Sequence, residues 1–294
     1  MELDKIISGD SAVVLQSFPP DCIDLTVTSP PYDNLRAYEG EAVFDFETIA
    51  RQLFRVTKVG GVVVWVVGDA TINGSETLTS FKQALFFREC GFNVETMIYH
   101  KVAGATGSNN LYWQSFEYMF VFSKGMPKTH NLISDRKNVK KAQSVMWTGG
   151  HRHETGDKKD LRVQVRKEYG VRNNVWIVDA ANGIDRDYDH PAQFPEPLAR
   201  DHVLTWSNEG DTVLDCFAGS GTTLKMAKVL SRHYIGIERV PKYVSLAEKR
   251  LLATNVPLFG LVRGLTPREP DNGDSAPSQA FSQPEFLSDL EGLS

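Results

Sequence analysis

The chain has 294 residues and a formal net charge of −5, and its 41% hydrophobic and 23% charged residues are typical of a globular protein with one large domain or two small ones. No apolar run approaches the roughly 18 residues needed to cross a bilayer, and the amino terminus lacks the basic and apolar regions of a signal peptide. The three cysteines have neither disulfide nor metal-site spacing, so we expect a cytoplasmic protein with no membrane segment and no metal site.

The amino-terminal residues predict a short strand that ends in a turn. Ile6 and Ile7 supply the apolar centre of the strand, and Gly9 and Asp10 supply the turn. Asp10 stands immediately before the segment 11–17, in the position of a helix N-cap, where a carboxylate accepts a hydrogen bond from a backbone N–H. We therefore expect a strand, a turn and a short helix at the start of the chain.

The next segment, here called the proline turn, comprises residues 28–32 (Thr-Ser-Pro-Pro-Tyr) and follows an apolar run that predicts a buried strand over 23–27. Neither proline has an N–H, and the residue before each is restricted to extended geometry, so the turn is expected to be stiff. It follows a strand, and open α/β sheets bind ligands at the carboxyl ends of their strands. The hydroxyl of Ser29, the carbonyl of Pro30 and the ring of Tyr32 can hold a planar, amino-bearing ring. A plain proline-rich turn is the alternative.

The middle of the chain alternates between helical and strand patterns. Apolar residues at helical spacing and a β-branched run around Trp65 are the clearest signals, and the run predicts a strand buried on both faces. The predicted elements are a helix over 46–56, a strand over 62–67, a helix over 77–90 and strands over 93–100 and 116–122. Tyr112 and Trp113 precede the last strand, and either pack in the interior or stack on nucleic acid.

A basic segment follows, and it explains how an acidic chain can bind a polyanion. Residues 124–172 hold 13 Lys or Arg against 5 Asp or Glu, whereas residues 266–294 hold one Arg against six acids. The acidic tail therefore accounts for the net charge, and the rest of the chain is neutral overall. A basic segment in a neutral body is the electrostatic footprint of a nucleic-acid partner, and a solvated loop is the alternative. An isolated strand is predicted at 174–178.

The segment 211–223 predicts a strand, a glycine-rich turn and the start of a helix, and it follows a helix predicted over 195–206. The turn, here called the glycine bend (residues 217–222), has no Gly-Lys-Ser/Thr sequence and lacks the third glycine of dinucleotide-binding motifs. Gly219 and Gly221 permit tight backbone geometry and the close approach of a ligand. Thr222 and Thr223 are suited to cap the helix.

A second strand in this region, over 234–238, ends at Glu238. This acid lies 23 residues after Asp215, which is close to the spacing at which a carboxylate reaches ribose hydroxyls in nucleotide-binding βαβ units. A helix over 242–252 completes the unit. The glycine bend, the acid and the proline turn together indicate a nucleotide-like cofactor and an amino-bearing substrate.

These motifs resemble those of amino-group DNA methyltransferases that use S-adenosyl-L-methionine. Their order, with Ser-Pro-Pro-Tyr before the glycine bend, resembles the beta class of that family. Residues 190–195 (His-Pro-Ala-Gln-Phe-Pro) resemble a further family motif that completes the cofactor pocket. The resemblance extends from about residue 6 to about residue 252, and the tail beyond it has the composition of a disordered segment.

The resemblance implies an α/β fold with a doubly wound, mainly parallel, seven-stranded Rossmann-like sheet. A terminal antiparallel hairpin, formed by the strands over 93–100 and 116–122, and an inserted target-recognition region complete the expected fold. The implied divisions of the chain are a catalytic half at 1–123, a basic target-recognition insert at 124–188, a cofactor-binding half at 189–264 and a disordered acidic tail at 265–294.

The resemblance also implies the site residues. The expected catalytic residues are Ser29, Pro30, Pro31 and Tyr32. The expected cofactor-binding residues are Asp10, Phe194, Asp215, Phe217, Ala218, Gly219, Ser220, Gly221, Thr222 and Glu238. The expected DNA contacts are Arg36, Lys137, Lys140, Lys141, Arg152, Lys158, Lys159, Arg162 and Arg166. No metal is expected.

The implied activity is DNA methylation by direct methyl transfer to the exocyclic amino group of a base flipped out of the duplex. Ser-Pro-Pro-Tyr is usual for cytosine N4, and adenine N6 is the alternative. None of the three cysteines follows a proline, which excludes carbon-5 methylation of cytosine. RNA or protein-glutamine methylation and an inactive DNA-binding regulator are further alternatives. Double-stranded DNA is the expected partner of a monomer or homodimer in a restriction-modification system, and a cognate restriction endonuclease is a further candidate partner.

Overall fold

The computed structural model describes residues 1–31, 44–101, 112–139, 145–148, 162–165, 167–178 and 194–255, with 145–148 and 162–165 described by their backbone alone. The predicted acidic tail over 265–294 lies outside these residues. None of the helices within the described ranges is long and apolar enough to cross a bilayer.

The described residues form fourteen strands and six α-helices, and a 3₁₀ turn extends the first helix. The strands are β1 (Lys5–Ser8), β2 (Ile23–Thr28), β3 (Thr57–Val67), β4 (Thr71–Ile72), β5 (Ser75–Glu76), β6 (Asn93–Lys101), β7 (Phe116–Ser123), β8 (Arg136–Lys137), β9 (Val145–Thr148), β10 (Arg162–Val165), β11 (Tyr169–Gly170), β12 (Val175–Val178), β13 (Thr212–Asp215) and β14 (His233–Glu238). The helices are α1 (Ser11–Val14), α2 (Phe46–Val56), α3 (Thr79–Glu89), α4 (Glu196–Trp206), α5 (Thr222–Val229) and α6 (Pro241–Ala253).

Eight of these strands form the main sheet, in the order β1-β14-β13-β2-β3-β7-β6-β12. All neighbouring pairs are parallel except those of β7, which runs antiparallel to both β3 and β6. The predicted mainly parallel α/β sheet is therefore observed. The parallel block β1-β14-β13-β2-β3 places five carboxyl ends at one edge, because parallel strands share a direction.

The predicted count of seven strands and the terminal position of the hairpin are wrong for the described residues. β6 and β7 do form an antiparallel hairpin, but β12 pairs with the outer side of β6, from Val175 opposite Ile98 to Val178 opposite Lys101. β12 alternates between exposed and buried side chains, and its buried Trp176 packs in the core. The added strand covers an edge that would otherwise present unpaired backbone groups.

The core occupies both faces of the sheet, as predicted for the β-branched run in β3. Val62, Val64 and Val66 belong to one hydrophobic cluster, whereas Val63 and Trp65 belong to the other. Buried residues of α1, α2 and α3 pack in the cluster around Trp65, and those of α4, α5 and α6 pack in the opposite cluster. This is the doubly wound arrangement, and burying each large side chain contributes roughly 1.5–3 kcal/mol.

The region predicted as a target-recognition insert carries small antiparallel pairs and one strand of the main sheet. β8 pairs with β11, and β9 pairs with β10. β12, at the end of this region, belongs to the main sheet. Part of the predicted insert, the strand β12, is therefore built into the main sheet. The division of the chain into a separate insert over 124–188 stays a prediction.

Candidate active site

Four of the predicted segments meet at one edge of the main sheet. β1, β14, β13 and β2 are neighbouring parallel strands, so their carboxyl ends lie at the same edge, here called the carboxyl edge. Asp10 follows β1, Glu238 ends β14, the glycine bend follows β13 and Ser29 follows β2. The topology therefore brings the start of the proline turn beside the glycine bend, where open α/β sheets bind ligands.

Thr28 and Asp215 join these two segments by a direct hydrogen bond. Thr28 ends β2, Asp215 ends β13, and the Thr28 Oγ1 donates to Oδ1 of Asp215 over 2.6 Å. Thr223 adds a second link, because its Oγ1 donates to the carbonyl of Val27 over 3.2 Å. The role of Thr28 was not predicted from the sequence, which placed this residue in the proline turn, although its position directly before Ser29 was an available signal.

Asp215 is a buried carboxylate at this edge, with 5% of its surface exposed. Burial raises the pKa of Asp215 to about 6, although hydrogen bonds from Thr28 and from the backbone N–H of Phe217 favour the charged form. The nearby carboxylate of Glu238 also raises this pKa. At neutral pH Asp215 is therefore largely ionised, and a buried anion attracts cationic groups strongly.

The glycine bend is a tight turn that depends on positive φ angles. The φ angle is +49° at Gly219 and +79° at Gly221, and the N–H of Gly221 donates to the carbonyl of Ala218 over 2.7 Å. Positive φ at the first central residue of such a turn favours glycine. The predicted threonine caps are wrong, because Gly221 is the N-cap of α5 and no side chain caps this helix.

Glu238 fixes the bend from the neighbouring strand. Its Oε2 accepts a hydrogen bond from the N–H of Gly219 over 2.8 Å, and its Oε1 accepts one from the N–H of Val240 over 2.8 Å. Each carboxylate oxygen has a second acceptor site. Glu238 can therefore hold the bend and still accept hydrogen bonds from a ligand diol.

The remaining predicted cofactor residues lie around the same edge. Asp10 accepts a hydrogen bond from the N–H of Ala12 over 2.9 Å, so it is the N-cap of α1, as its alternative interpretation predicted. The ring of Phe217 packs against Phe44 at a centroid distance of 5.7 Å. Phe194 packs against the core cluster that contains Ala218. The carboxyl edge thus combines apolar rings with acceptor groups.

Only some of the predicted catalytic and DNA-contacting residues lie in the described part of the chain. Ser29 and Pro31 are half-buried and Pro30 is buried. Lys137 is exposed in β8, and Arg162 begins β10, whose side chains are not described. The predicted residues outside the described part of the chain are Tyr32, Arg36, Lys140, Lys141, Arg152, Lys158, Lys159 and Arg166.

Two aromatic residues near this edge are exposed, so the interior-packing alternative for them is wrong. Tyr112 is fully exposed and Trp113 is 70% exposed. They precede β7, which starts at the carboxyl edge because it runs antiparallel to β3. Their rings are therefore available for stacking on a partner.

The three thiols are unsuited to nucleophilic catalysis. Burial raises the pKa of Cys22, of Cys90 and of Cys216, so each thiol stays protonated at neutral pH. This agrees with the exclusion of carbon-5 cytosine chemistry. Among the described residues, no group of three or more His, Cys, Asp or Glu side chains could hold a metal ion.

The residues at the carboxyl edge fit S-adenosyl-L-methionine. This cofactor carries sulfonium and ammonium cations together with a ribose diol. The carboxylates of Asp215 and Glu238 would supply negative charge and acceptors for these groups, and both lie beside the glycine bend. Gly219 and Gly221 allow the backbone to approach a ligand closely.

Sequence comparisons give the family. The family model described as DNA methylase, which covers N6 and N4 methyltransferases, matches residues 23–249. The orphan methyltransferase M.BamHII of Bacillus amyloliquefaciens is 51% identical over 247 residues, which are 79% of this chain and 89% of that protein. The type II methyltransferase M.BglII of Bacillus subtilis is 29% identical over 254 residues, which are 83% of this chain and 68% of that protein.

Solved structures agree with this fold. The crystal structure of TTHA0409 from Thermus thermophilus, complexed with S-adenosyl-L-methionine, is 28% identical with a TM-score of 0.58, and the match covers 87% of this chain and 97% of that chain. The PvuII DNA methyltransferase, described as cytosine-N4-specific, is 20% identical with a TM-score of 0.62, covering 87% of this chain and 89% of that one. The chain therefore belongs to the N6/N4 DNA methylase family and is an amino-group DNA methyltransferase whose cofactor is S-adenosyl-L-methionine.

Proposed function

We propose that this protein methylates the N4 amino group of cytosine in a specific duplex sequence, after flipping the base out of the helix. The observation that carries the proposal is the hydrogen bond between Thr28 and Asp215, because it supports a single pocket formed by the proline turn and the glycine bend. A target atom stacked inside a duplex is out of reach of such a pocket, so the base leaves the stack.

The chain's own residues position the reacting groups. Bound S-adenosyl-L-methionine supplies an electrophilic methyl group, and Asp215, Glu238, Phe194 and the glycine bend are the residues that would hold it. The exocyclic amine is a weak nucleophile, because its lone pair is delocalised into the ring. Acceptors in the proline turn pull on the amino hydrogens and favour a pyramidal nitrogen, so positioning and electrostatics contribute most of the rate enhancement.

The choice of cytosine rests on Ser29. The resemblance associates Ser-Pro-Pro-Tyr with cytosine N4, and the Oγ of Ser29 and the carbonyl of Pro30 are the two acceptors assigned to the amino group. Tyr32 is assigned to stack on the base. Adenine N6 is the second candidate, because its exocyclic amine presents the same two hydrogens to the same acceptors.

DNA contacts are assigned to the basic segment and to the exposed aromatic pair. Lys137, which is exposed in β8, and the basic residues predicted beside it bind phosphates. Tyr112 and Trp113 stack on bases near the carboxyl edge, and their exposure supports this role. The relatives named type II methyltransferases support a restriction-modification setting, in which a cognate endonuclease stays a predicted partner.

Analysis of methylated nucleosides tests this proposal. The purified protein is incubated with methyl-labelled S-adenosyl-L-methionine and mixed-sequence duplex DNA, and with RNA in parallel, and the product is digested to nucleosides. We expect the label in N4-methylcytosine from DNA. Label in N6-methyladenine selects the second candidate, and label only in RNA or in the protein itself contradicts both.

A further inference from the structure

We infer that Arg250 is a positioning residue for the cofactor, because it fixes the glycine bend from behind. The inference rests on the proposed cofactor role of the bend. Arg250 lies in α6, the helix that follows the strand ending at Glu238. Its side chain is only 15% exposed, and sequence analysis assigned it no role.

The guanidinium of Arg250 contacts the bend directly. Its Nη1 donates to the backbone carbonyl of Ser220 over 2.7 Å and lies 2.8 Å from the Oγ of the same residue. These are charge-assisted hydrogen bonds in a partly desolvated site, and such bonds are stronger than neutral ones. The planar fork of arginine makes this geometry specific, since lysine presents only a point charge.

The carbonyl of Ser220 belongs to the peptide that closes the bend. The same peptide carries the N–H of Gly221, which donates to the carbonyl of Ala218 over 2.7 Å. In a planar trans peptide the C=O and the N–H point in opposite directions. Arg250 and Ala218 therefore hold one peptide plane from its two sides, and this plane orients the residues around it.

Arg250 also connects the bend to a second cofactor segment. Its Nη2 donates to Oε1 of Glu196 over 3.2 Å, and Lys225 donates to the same oxygen over 2.7 Å. Glu196 begins α4, two residues after Phe194. One guanidinium thus joins α6 to the glycine bend and to the start of α4, and the bend and Phe194 are the segments predicted to line the methionine end of the cofactor.

The chain offers a matched control in Lys225. Lys225 pairs with the same carboxylate, and its side chain is 18% exposed, similar to that of Arg250. In the described contacts Lys225 donates to Glu196, whereas Arg250 donates to the bend as well. A variant at Lys225 therefore removes an ion pair of similar burial while the contact to Ser220 remains.

The test measures cofactor binding and turnover separately. Binding of S-adenosyl-L-homocysteine is measured by isothermal titration calorimetry, and kcat and the KM for S-adenosyl-L-methionine are measured with duplex DNA. We expect Arg250→Met to weaken binding about 10- to 100-fold, as for loss of hydrogen bonds to a charged group. We expect kcat at saturating cofactor to change less than about threefold, because the reacting groups are intact. Arg250→Lys is expected to recover part of the affinity, and Lys225→Met to stay within about twofold of the wild type.

A purely structural role for Arg250 predicts a different result. In that case Arg250→Met lowers the melting temperature as Lys225→Met does and leaves the affinity for S-adenosyl-L-homocysteine within about twofold of the wild type, which overturns the inference. The variant Glu238→Gln shows whether only the role of Arg250 is wrong or whether the proposed cofactor site is wrong as well. If Glu238→Gln weakens binding and Arg250→Met does not, the role of Arg250 is wrong; if neither weakens binding, the cofactor site is wrong as well.

A second variant keeps the test decisive if Arg250→Met does not fold. Glu196→Gln removes the charge that faces Arg250 and leaves the contact to Ser220 in place, so we expect a loss of affinity of about threefold, smaller than that of Arg250→Lys. An affinity for S-adenosyl-L-homocysteine that is unchanged in both Glu196→Gln and Arg250→Lys overturns the inference.

Discussion

The two halves of the main sheet, the strands β1, β14, β13 and β2 on the cofactor side and the strands β7, β6 and β12 on the other, are stabilised in different ways. On the cofactor side, side chains bond to backbone groups at the carboxyl edge itself, as Glu238 does with Gly219. On the side of β7, β6 and β12, the described contacts join the region predicted as a target-recognition insert to α4, as Arg172 does with Asp201 over 2.7 Å. The first set of contacts fixes the glycine bend, which is predicted to bind the cofactor, whereas the second set fixes one point of a larger region.

That attachment point combines charge and stacked rings. Arg172 pairs with Asp135 and Asp201 and lies over the ring of Trp176 at 4.8 Å. Trp176 stacks on His202 at a centroid distance of 4.5 Å. Burial lowers the pKa of His202 to about 3, so this ring is neutral and packs as an apolar group. The predicted recognition region is therefore held to α4 by contacts that involve none of the residues predicted to bind the cofactor.

The largest expected effect is that of Ser29→Ala on catalysis. The Oγ of Ser29 is proposed to accept a hydrogen bond from the amino group of the base, so its removal is expected to lower kcat by about 100-fold or more. Single-turnover methylation assays measure this, with calorimetry to check that S-adenosyl-L-homocysteine still binds. Ser17→Ala, at an exposed serine, is the control. Full activity in Ser29→Ala contradicts the assigned role.

The next effect concerns Asp215 and pH. Because its pKa is raised from the ordinary 3.8 to about 6, the folded protein binds more protons than the unfolded chain between these values. The free energy of unfolding of the cofactor-free protein is therefore expected to fall by about 3 kcal/mol as pH rises from 3 to 7. Affinity for the cationic cofactor is expected to rise over the same window, because it requires the ionised carboxylate.

Chemical denaturation and calorimetry across this pH range check both trends. Asp215→Asn is the reference, since its side chain does not titrate and is close in size. We subtract the values of the variant from those of the wild type at each pH. The difference in the free energy of unfolding is expected to fall as pH rises, and the difference in affinity for the cofactor is expected to rise. If the wild type and Asp215→Asn have parallel profiles, Asp215 is not the titrating group.

A smaller effect tests the attachment of the recognition region. Arg172→Met leaves Asp201 and Asp135 without their shared cation, which is expected to lower the free energy of unfolding by about 2 kcal/mol. Affinity for DNA is expected to fall, and affinity for S-adenosyl-L-homocysteine to remain. Fluorescence anisotropy with duplex DNA and calorimetry measure the two. Equal losses of both affinities contradict the separation of the two sides.

The smallest effect compares two glycines with the same φ angle of +79°, Gly221 in the bend and Gly74 in an exposed turn. A Cβ at Gly221 would lie 2.9 Å from the Cβ of Ala247, whereas a Cβ at Gly74 meets nothing within 4 Å. Gly74→Ala is expected to cost about 1 kcal/mol of stability through backbone strain. Gly221→Ala is expected to cost about 1 kcal/mol more, and to weaken cofactor binding. Equal losses in thermal denaturation contradict the packing of α6 against the bend.

The elements of this fold were predicted well where one segment carries its own signal. The helix over 46–56 matches α2, because its apolar residues follow the helical period and Asp45 caps it. Contacts between distant segments were not predictable in this way. The bond from Thr28 to Asp215 and the contact from Arg250 to Ser220 join residues far apart in sequence, and β12 was predicted as a strand without its partner.

In the candidate site, too, the features that depend on adjacent residues were predictable from the sequence, and those that depend on distant residues were not. The proline turn and the glycine bend each contain their chemistry in a few adjacent residues, so they could be identified from the sequence. The capping of α5 by Gly221 and the exposure of Trp113 could not, since each depends on what packs nearby. The geometry of a short turn is thus determined by its own residues, whereas the exposure of a side chain and the contacts that hold a turn in place depend on the assembled sheet.

A crystal structure of the complex with S-adenosyl-L-homocysteine tests the central claim most directly. We predict that the ligand binds at the carboxyl edge, with its ribose hydroxyls within about 3 Å of the carboxylate of Glu238 and its sulfur facing Ser29. The opposite edge of the sheet carries a cavity of about 60 Å³ lined by Asp24, Lys58 and Asp211 among others. Ligand bound there, with the glycine bend empty, would contradict the shared pocket and the methyl transfer derived from it.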